Sequence, residues 1–208
     1  MNKQNETAKG RLLVISGPSG VGKGTVLAEL LKRSDDYAYS VSATTRAPRQ
    51  GEIDGKNYFF KTRGEFEKMI ENDELLEYAE YNGNYYGTPK KFVGELTARG
   101  KNVILEIEVQ GAMKVKSRYP EAVMVFIAPE SKEILRERLY GRGTESEAVI
   151  AGRIAIAERE LRACLLYDYI TFNREGHADV CAADIEAVVR AEKLKTRERF
   201  CDVCDFFK

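Results

Sequence analysis

The sequence has no long hydrophobic run and no excess charge of either sign. Its longest strongly apolar stretch, AVMVFIA at 122–128, is far shorter than the roughly 20 residues that cross a bilayer. Lys and Arg together number 33, as do Asp and Glu, so no global field favours nucleic acid or an anionic membrane. The first residues, MNKQNETAKGR, lack the apolar core of a secretory signal, and we interpret residues 1–10 as a flexible lead-in. We therefore expect a cytoplasmic protein that binds neither membranes nor nucleic acid.

Histidine and cysteine are also scarce. The single histidine, His177, falls in a predicted loop, and no Cys–His or Ser–His pair suggests a nucleophile. Two of the four cysteines, Cys201 and Cys204, form one C-x-x-C in the charged tail at 191–208. One such pair supplies two zinc ligands where a structural site needs four. We interpret both as ordinary thiols; a metal shared between two chains or a redox pair are the alternatives, and no protein metal site is expected.

Repeated β–α units dominate the rest of the chain. Its 208 residues suit one domain with room for an inserted subdomain. Continuous apolar runs, typical of buried parallel strands, occur at 11–16, 102–109, 122–129 and 168–173. Apolar residues recur at helical spacing in 24–34, 131–139, 146–166 and 183–195. This alternation predicts an α/β fold with a parallel sheet core flanked by helices.

Residues 40–95 break this rhythm. They contain Pro48, Pro89, several glycines and five tyrosines. One helix is expected there, around GEFEKMIEND at 64–73, with Phe66, Met69 and Ile70 on one side. We interpret the stretch as an insertion between elements of the sheet.

The stretch GPSGVGKGT nearly matches the phosphate-loop pattern G-x-x-x-x-G-K-[ST]. Gly24 occupies the place of the Ser or Thr that normally binds Mg²⁺, and Thr25 follows one step later. A predicted strand precedes the loop and a predicted helix follows it, which is the context the motif requires. Glycines allow backbone N–H groups to point at an anion, and the helix N-terminus and Lys23 add positive charge. A plain glycine-rich turn is the alternative. The residues predicted to hold the phosphates of a nucleoside triphosphate are Gly17, Pro18, Ser19, Gly20, Val21, Gly22, Lys23, Gly24 and Thr25.

Two groups of arginines are candidates for further phosphate contacts. Arg46 and Arg49 flank a proline turn and precede Tyr58, and guanidinium groups can fork onto the oxygens of a phosphate monoester. Two exposed surface arginines would explain the same pattern equally well. A second group lies in LRERLYGRGTESEAVIAGR, where the ordinary explanation is a solvated helical face.

Collinear motifs over residues 11–173 resemble the guanylate kinase family. They are VISGPSGVGKGT, SVSATTRAPRQGEIDGKNYFF, LLEYAEYNGNYYGTP, VILEIEVQG, FIAPES and ERLYGRGTESE. The resemblance implies the P-loop nucleoside monophosphate kinase fold over 11–190, with a GMP-binding insertion at about 40–95 and a mobile lid at about 138–158. It also implies transfer of the γ-phosphoryl group of ATP to GMP by a monomer or homodimer. Mg²⁺ would be held largely by nucleotide oxygens and water, which suits an ion that dehydrates reluctantly.

The resemblance also assigns roles to individual residues. Those matched to the GMP phosphate are Ser42, Arg46, Arg49, Tyr58 and Tyr86. Glu77 and Thr88 match the guanine readers, because one carboxylate accepts from both N1–H and N2–H and a hydroxyl can donate to O6. Those matched to catalysis are Lys23, Arg138, Arg142 and Arg153, and Asn173 matches a contact on the adenine side.

Glu106 and Glu108 stand where the family commonly has aspartate, and Glu108 matches a residue near the guanine amino group. Spaced by two at the end of a predicted strand, they would leave the same face. A structural role, such as satisfying backbone donors, is the alternative for either. Arg174 replaces an acidic residue that usually follows the family's asparagine.

Two other functions compete with this interpretation. A different small-molecule kinase of the same fold, such as a ribose-bisphosphate kinase, would have no use for Glu77 and Thr88 as guanine readers. A guanylate-kinase-like module that binds proteins would typically have an eroded phosphate loop, whereas Lys23 and the lid arginines are present here.

Overall fold

The structure, a computed structural model, describes residues 9–140 and 147–196. Arg142, Cys201 and Cys204 lie outside the described residues. In chain order the elements are β1 (Leu12–Ser16), α1 (Lys23–Arg33), β2 (Tyr37–Tyr39), β3 (Ala43–Thr44), β4 (Phe59–Phe60), α2 (Arg63–Glu71), β5 (Leu75–Tyr81), β6 (Asn84–Pro89), α3 (Lys90–Ala98), β7 (Asn102–Glu106), α4 (Val109–Arg118), β8 (Val123–Pro129), α5 (Lys132–Tyr140), α6 (Glu147–Arg162), a 3₁₀ turn (Ala163–Leu166), β9 (Tyr169–Asn173) and α7 (Ala178–Lys193).

The chain divides into two compact units. The first unit comprises residues 1–15 and 35–124, and the second comprises residues 16–34 and 125–208. The division therefore separates the glycine loop and α1 from residues 40–95.

Parallel strands form the core of the first unit. There β7 pairs with β1 on one side and β2 on the other, with Leu12 opposite Val103 and Tyr37 opposite Asn102. Residues Leu13–Ile15 and Val103–Leu105 are almost completely buried. Such unbroken burial is expected for parallel strands, whose two faces are both covered.

A separate four-stranded sheet in the first unit has the order β4-β3-β6-β5. β6 runs antiparallel to both β3 and β5, and the β5–β6 hairpin turns at Asn82 and Gly83 with positive φ values of 49° and 74°. This is the conformation of a tight hairpin turn, for which Asn-Gly is the strongest sequence signal. Beneath the sheet, Phe66 of α2 stacks on Tyr85 at a ring-centroid distance of 5.2 Å.

The second unit contains a parallel pair of strands and four of the helices. β8 pairs with β9, with Val125 opposite Tyr169 and Pro129 opposite Asn173. α7 packs against both α1 and β9, and α5 packs against α6. The pairing places Asn173 at the carboxyl end of β9, the end of a parallel strand where ligands bind in folds of this class.

These elements confirm the α/β prediction and correct several details of it. A single helix was expected within 40–95, but α3 begins at Lys90 in that range. The strand expected over 102–109 ends at Glu106, and the helix expected from 183 begins at Ala178. Within the described ranges 9–140 and 147–196, no helix combines the length and apolarity needed to cross a bilayer.

We expect Phe66→Ala to lower the free energy of unfolding by about 3–5 kcal/mol, because it removes a fully buried ring and leaves a cavity. Urea denaturation followed by far-UV circular dichroism measures the change. Tyr81→Ala is the control, since Tyr81 is 66% exposed on the neighbouring sheet and surface changes usually stay within about 0.5 kcal/mol. Equal losses in the two variants would contradict this account of the small core.

Candidate active site

The glycine loop connects Ser16 at the end of β1 to α1. Gly22 has φ 90° at the position before the helix, and a Cβ built on it would lie 2.6 Å from Nδ2 of Asn173. Conformation and contact therefore both require glycine here. The first turn of α1 contains no acidic residue, and its last turn carries Lys32 and Arg33. The positive end of the helix dipole is thus left free to attract an anion to the loop.

Lys23 folds back over the loop that precedes it. Its Nζ donates hydrogen bonds to the carbonyl oxygens of Gly17 at 2.6 Å and Pro18 at 3.4 Å. These bonds hold the ammonium group against the loop without neutralising its charge.

Two arginines from the predicted lid also contact the loop. Arg138 of α5 donates from Nη1 to the carbonyl oxygen of Val21 at 3.0 Å and from Nη2 to that of Asn173 at 3.2 Å. Arg153 of α6 donates to Oγ of Ser19 at 2.8 Å. The structure therefore brings Lys23, Arg138 and Arg153 to one glycine loop, while Arg142 lies outside the described residues.

Asn173 joins the end of β9 to the same loop. Its Nδ2 donates to the carbonyl oxygen of Val21 at 2.7 Å, while its buried Oδ1 has no hydrogen-bond partner. A cavity of about 600 Å³ opens here, lined by Gly22, Thr25, Glu29, Arg138, Asn173, Arg174, Glu175, Gly176, Ala178 and Asp179. This volume is within the usual range for small-ligand sites.

Gly24 leaves open space where the usual motif has a hydroxyl. A Cβ built on it would meet no heavy atom within 4 Å, and Thr25 lines the adjoining cavity. Among residues 9–140 and 147–196, no group of three acidic, histidine or cysteine side chains is arranged to hold a metal ion. The hydroxyl of Thr25 is instead the oxygen group next to the loop, while the Glu29 carboxylate, which also lines the cavity, is paired with Lys32 at 2.7 Å. One hydroxyl suits an ion that keeps most of its water.

In the first unit, Arg46 is the centre of a second cluster of candidate side chains. Its Nη1 and Nη2 donate to the two carboxylate oxygens of Glu52 at 3.0 and 2.8 Å. Its guanidinium carbon lies 5.4 Å from the centroid of the Tyr58 ring. Tyr58 and Tyr86 meet edge to face at 6.1 Å. The hydrogen bond with Glu52 is the main cause that raises the pKa of Arg46, which keeps the group charged, and the nearby Tyr86 hydroxyl is a minor further cause.

The remaining residues matched to GMP have different surroundings. Ser42 immediately precedes β3, where its carbonyl oxygen accepts from the backbone N–H of Phe59 at 2.8 Å. Arg49 is exposed, and its backbone N–H donates to Glu52 at 2.7 Å. Glu106 ends β7, but Glu108 is the residue before α4, so the alternation of a strand does not extend to it. Strand alternation therefore gives no reason to place both side chains on one face, and that expectation stays a prediction; both glutamates are exposed.

Glu77 and Thr88 form a buried pair on the hairpin strands β5 and β6. The Thr88 hydroxyl donates to Oε1 of Glu77 at 2.8 Å. Thr88 is 1% exposed and Glu77 is 8% exposed. Burial raises the pKa of Glu77, although the hydrogen bond from Thr88 and the charge of Lys114 act in the opposite direction. Gly111 of α4 approaches the other oxygen, since a Cβ on it would lie 3.3 Å from Oε2.

Two residues of these sites were not found by sequence reasoning. Glu52 follows Arg49 by three positions across a glycine-containing turn, and only the turn geometry brings its carboxylate to Arg46. Gly111 is 34 residues from Glu77, so no local pattern connects them. The glycine at position 51 is the one available signal, because it indicates a tight turn after the arginines.

The parallel strands, the glycine loop before α1 and the inserted antiparallel sheet together define a P-loop nucleoside monophosphate kinase fold. A solved guanylate kinase from Anaplasma phagocytophilum is similar, with a TM-score of 0.69 and 37% identity, covering 91% of this chain and 89% of that one. The family model described as guanylate kinase matches residues 9–192.

Curated relatives agree with the family model. A guanylate kinase of Halalkalibacterium halodurans is 54% identical over 197 residues, covering 95% of both chains. One of Carboxydothermus hydrogenoformans is 54% identical over 189 residues, covering 91% of this chain and 92% of the relative. The chain therefore belongs to the guanylate kinase family.

We expect Glu77→Gln to become more stable relative to the parent protein as pH rises. Burial raises the native pKa of Glu77 above its pKa in the unfolded chain, which is about 4.3. Ionisation of Glu77 above that pH therefore lowers the free energy of unfolding of the parent protein. The variant has no carboxylate at this position and does not lose this stability. Urea denaturation at pH 4 to 8 measures the difference in the free energy of unfolding. Glu80→Gln, an exposed glutamate on the same strand, controls for loss of a carboxylate. A variant that loses stability relative to the parent protein as pH rises would refute the burial argument.

Proposed function

We propose that the chain is an ATP:GMP phosphotransferase, which converts ATP and GMP to ADP and GDP. Membership of the guanylate kinase family supports this reaction. The single structural observation that carries it is the buried Glu77–Thr88 pair. A carboxylate in this position can accept both N1–H and N2–H of guanine, whereas adenine offers the wrong pattern and would leave the pair unmatched.

On the donor side, Lys23, Arg138 and Arg153 are proposed to bind the phosphates of ATP, together with the backbone of residues 17–25. Their contacts with the loop support this role, because they gather three positive charges at one helix N-terminus. The transition state of phosphoryl transfer spreads negative charge over three oxygens, so positioning and positive charge supply most of the catalysis. Arg142 is proposed to join them on the strength of the resemblance alone.

On the acceptor side, Arg46, Arg49, Tyr58, Tyr86 and Ser42 are proposed to hold the GMP phosphate. The cluster of Arg46 with the two tyrosines supports this assignment. No general base is needed, because the phosphate of GMP is already an anionic nucleophile. Glu106 and Glu108 are proposed to lie near the guanine and metal region, and Asn173 near adenine.

Mg²⁺ is the proposed cofactor, bound with ATP. When bound, it would neutralise negative charge on the phosphates, and the hydroxyl of Thr25 is the protein group available to its water shell. The enzyme is proposed to act in the cytoplasm, where its two nucleotides are available. Its state as monomer or homodimer stays a prediction.

The choice of acceptor tests the proposed function. We expect GMP to be phosphorylated in preference to AMP, UMP and ribose bisphosphate, by roughly 10⁴-fold in kcat/KM if the polar pocket discriminates as such sites can. A coupled assay of ADP release with ATP and Mg²⁺ measures all four acceptors under the same conditions. Equal turnover of AMP would overturn the assignment of Glu77 and Thr88 as guanine readers.

Replacing the loop lysine tests the donor side. We expect Lys23→Ala to lower kcat by roughly 10²–10³-fold, because one preorganised charge is lost from the transition state. The same ADP-release assay measures it, and circular dichroism checks the fold. Lys32→Ala is the matched control, since Lys32 lies on the same helix but pairs with Glu29 on the surface. Unchanged turnover by Lys23→Ala would place the reaction elsewhere.

A further inference from the structure

Glu52 closes a tight turn next to the arginines of the acceptor side. Its backbone N–H donates to the carbonyl oxygen of Arg49 at 3.0 Å, and Gly51 inside the turn has φ 85°. A positive φ at the third position is the mark of a type II turn, which favours glycine there. The turn therefore determines where the side chain of Glu52 leaves the backbone.

The Glu52 carboxylate accepts three hydrogen bonds from the two arginines. Arg46 donates twice through its two terminal nitrogens, and the backbone N–H of Arg49 donates once, at 2.7 Å. The side chains of Arg46 and Glu52 are only 16% and 19% exposed. Two parallel N–H···O bonds fix both the direction and the plane of a guanidinium, which a single bond cannot do.

The Glu52 carboxylate does not occupy all the N–H donors of the Arg46 guanidinium. A guanidinium carries five N–H donors; two are directed at Glu52 and one at the carbonyl oxygen of Ala47. These three bonds leave two of the five donors for a ligand oxygen. An acceptor phosphate can therefore bind Arg46 while the carboxylate stays in place.

We propose that Glu52 is a positioning residue, which orients the Arg46 guanidinium and the Arg49 backbone for the acceptor phosphate without touching the acceptor. This inference rests on the proposed function. The negative charge of Glu52 opposes phosphate binding, because it lowers the net positive charge that attracts a phosphate. Both side chains are partly exposed, so solvent and salt screen such charge effects. Orientation of the guanidinium therefore outweighs the loss of net charge.

The experiment compares Glu52→Gln with the parent protein by calorimetric titration with GMP and with guanosine, which lacks the phosphate. We expect the Kd for GMP to rise about tenfold in the variant, since misplacing one binding group by about 1 Å has effects of at least this size, and the Kd for guanosine to change less than twofold. In the ADP-release assay the KM for GMP should rise in the same proportion, with the KM for ATP unchanged. Glu67→Gln is the matched control, because Glu67 pairs with Arg63 of α2 on the surface.

A second variant tests the turn separately from the carboxylate. Gly51→Ala keeps Glu52 and meets no neighbour within 4 Å, but it strains the positive φ that closes the turn. We expect the same selective loss of GMP over guanosine. Thermal denaturation of every variant shows whether the fold is intact.

Two outcomes would overturn the inference. Tighter binding of GMP by Glu52→Gln would mean that the carboxylate competes with the phosphate. Parallel losses for GMP and guanosine would mean that Glu52 only maintains the loop. Failure of the proposed function would be seen differently, as a parent protein that releases no ADP with GMP.

Discussion

Hydrogen bonds to oxygen atoms of the protein position four cationic side chains that are candidates for phosphate contacts, those of Lys23, Arg46, Arg138 and Arg153. Lys23 donates to Gly17, Arg138 to Val21, and Arg153 to Ser19. Side chains as long as these lose considerable conformational entropy when a ligand orders them, and their mutual repulsion would otherwise separate them. Oxygens already present in the fold reduce both penalties before any nucleotide binds.

The two units orient their cationic side chains with different kinds of oxygen acceptor. At the glycine loop the acceptors are backbone carbonyls and a hydroxyl, which orient the cations and leave their charge intact. At Arg46 the acceptor is mainly the carboxylate of Glu52, which orients more strongly but removes a unit of charge. The acceptors at the glycine loop therefore carry no formal charge of their own, whereas the Arg46–Glu52 pair sums to no net charge.

The features that could be predicted from the sequence are those that depend on neighbouring residues. The glycine loop was predictable because strand, glycines, lysine and helix follow one another, and the buried strands because their apolar runs are continuous. α3 was missed because its Pro89–Lys90 start falls among glycines and tyrosines that suggest irregular structure. The bond from Arg138 to Val21 joins residues 117 apart, and no local pattern encodes it. Glu52 is close in sequence to Arg46, yet its contact depends on the backbone angles of one glycine.

The proposal that Asn173 lies near adenine has a consequence for the choice of phosphoryl donor. All nucleoside triphosphates share the same tail, so a glycine loop cannot tell one from another, and only the base can provide the distinction. The Oδ1 atom of Asn173 is buried without a partner beside the loop, and an unmatched buried acceptor is unfavourable until a donor reaches it. Adenine presents an amino group at the ring position where guanine presents a carbonyl. The exocyclic group at this one ring position would therefore determine which purine binds here. The same group would distinguish the nucleotide that donates the phosphoryl group from the nucleotide that accepts it.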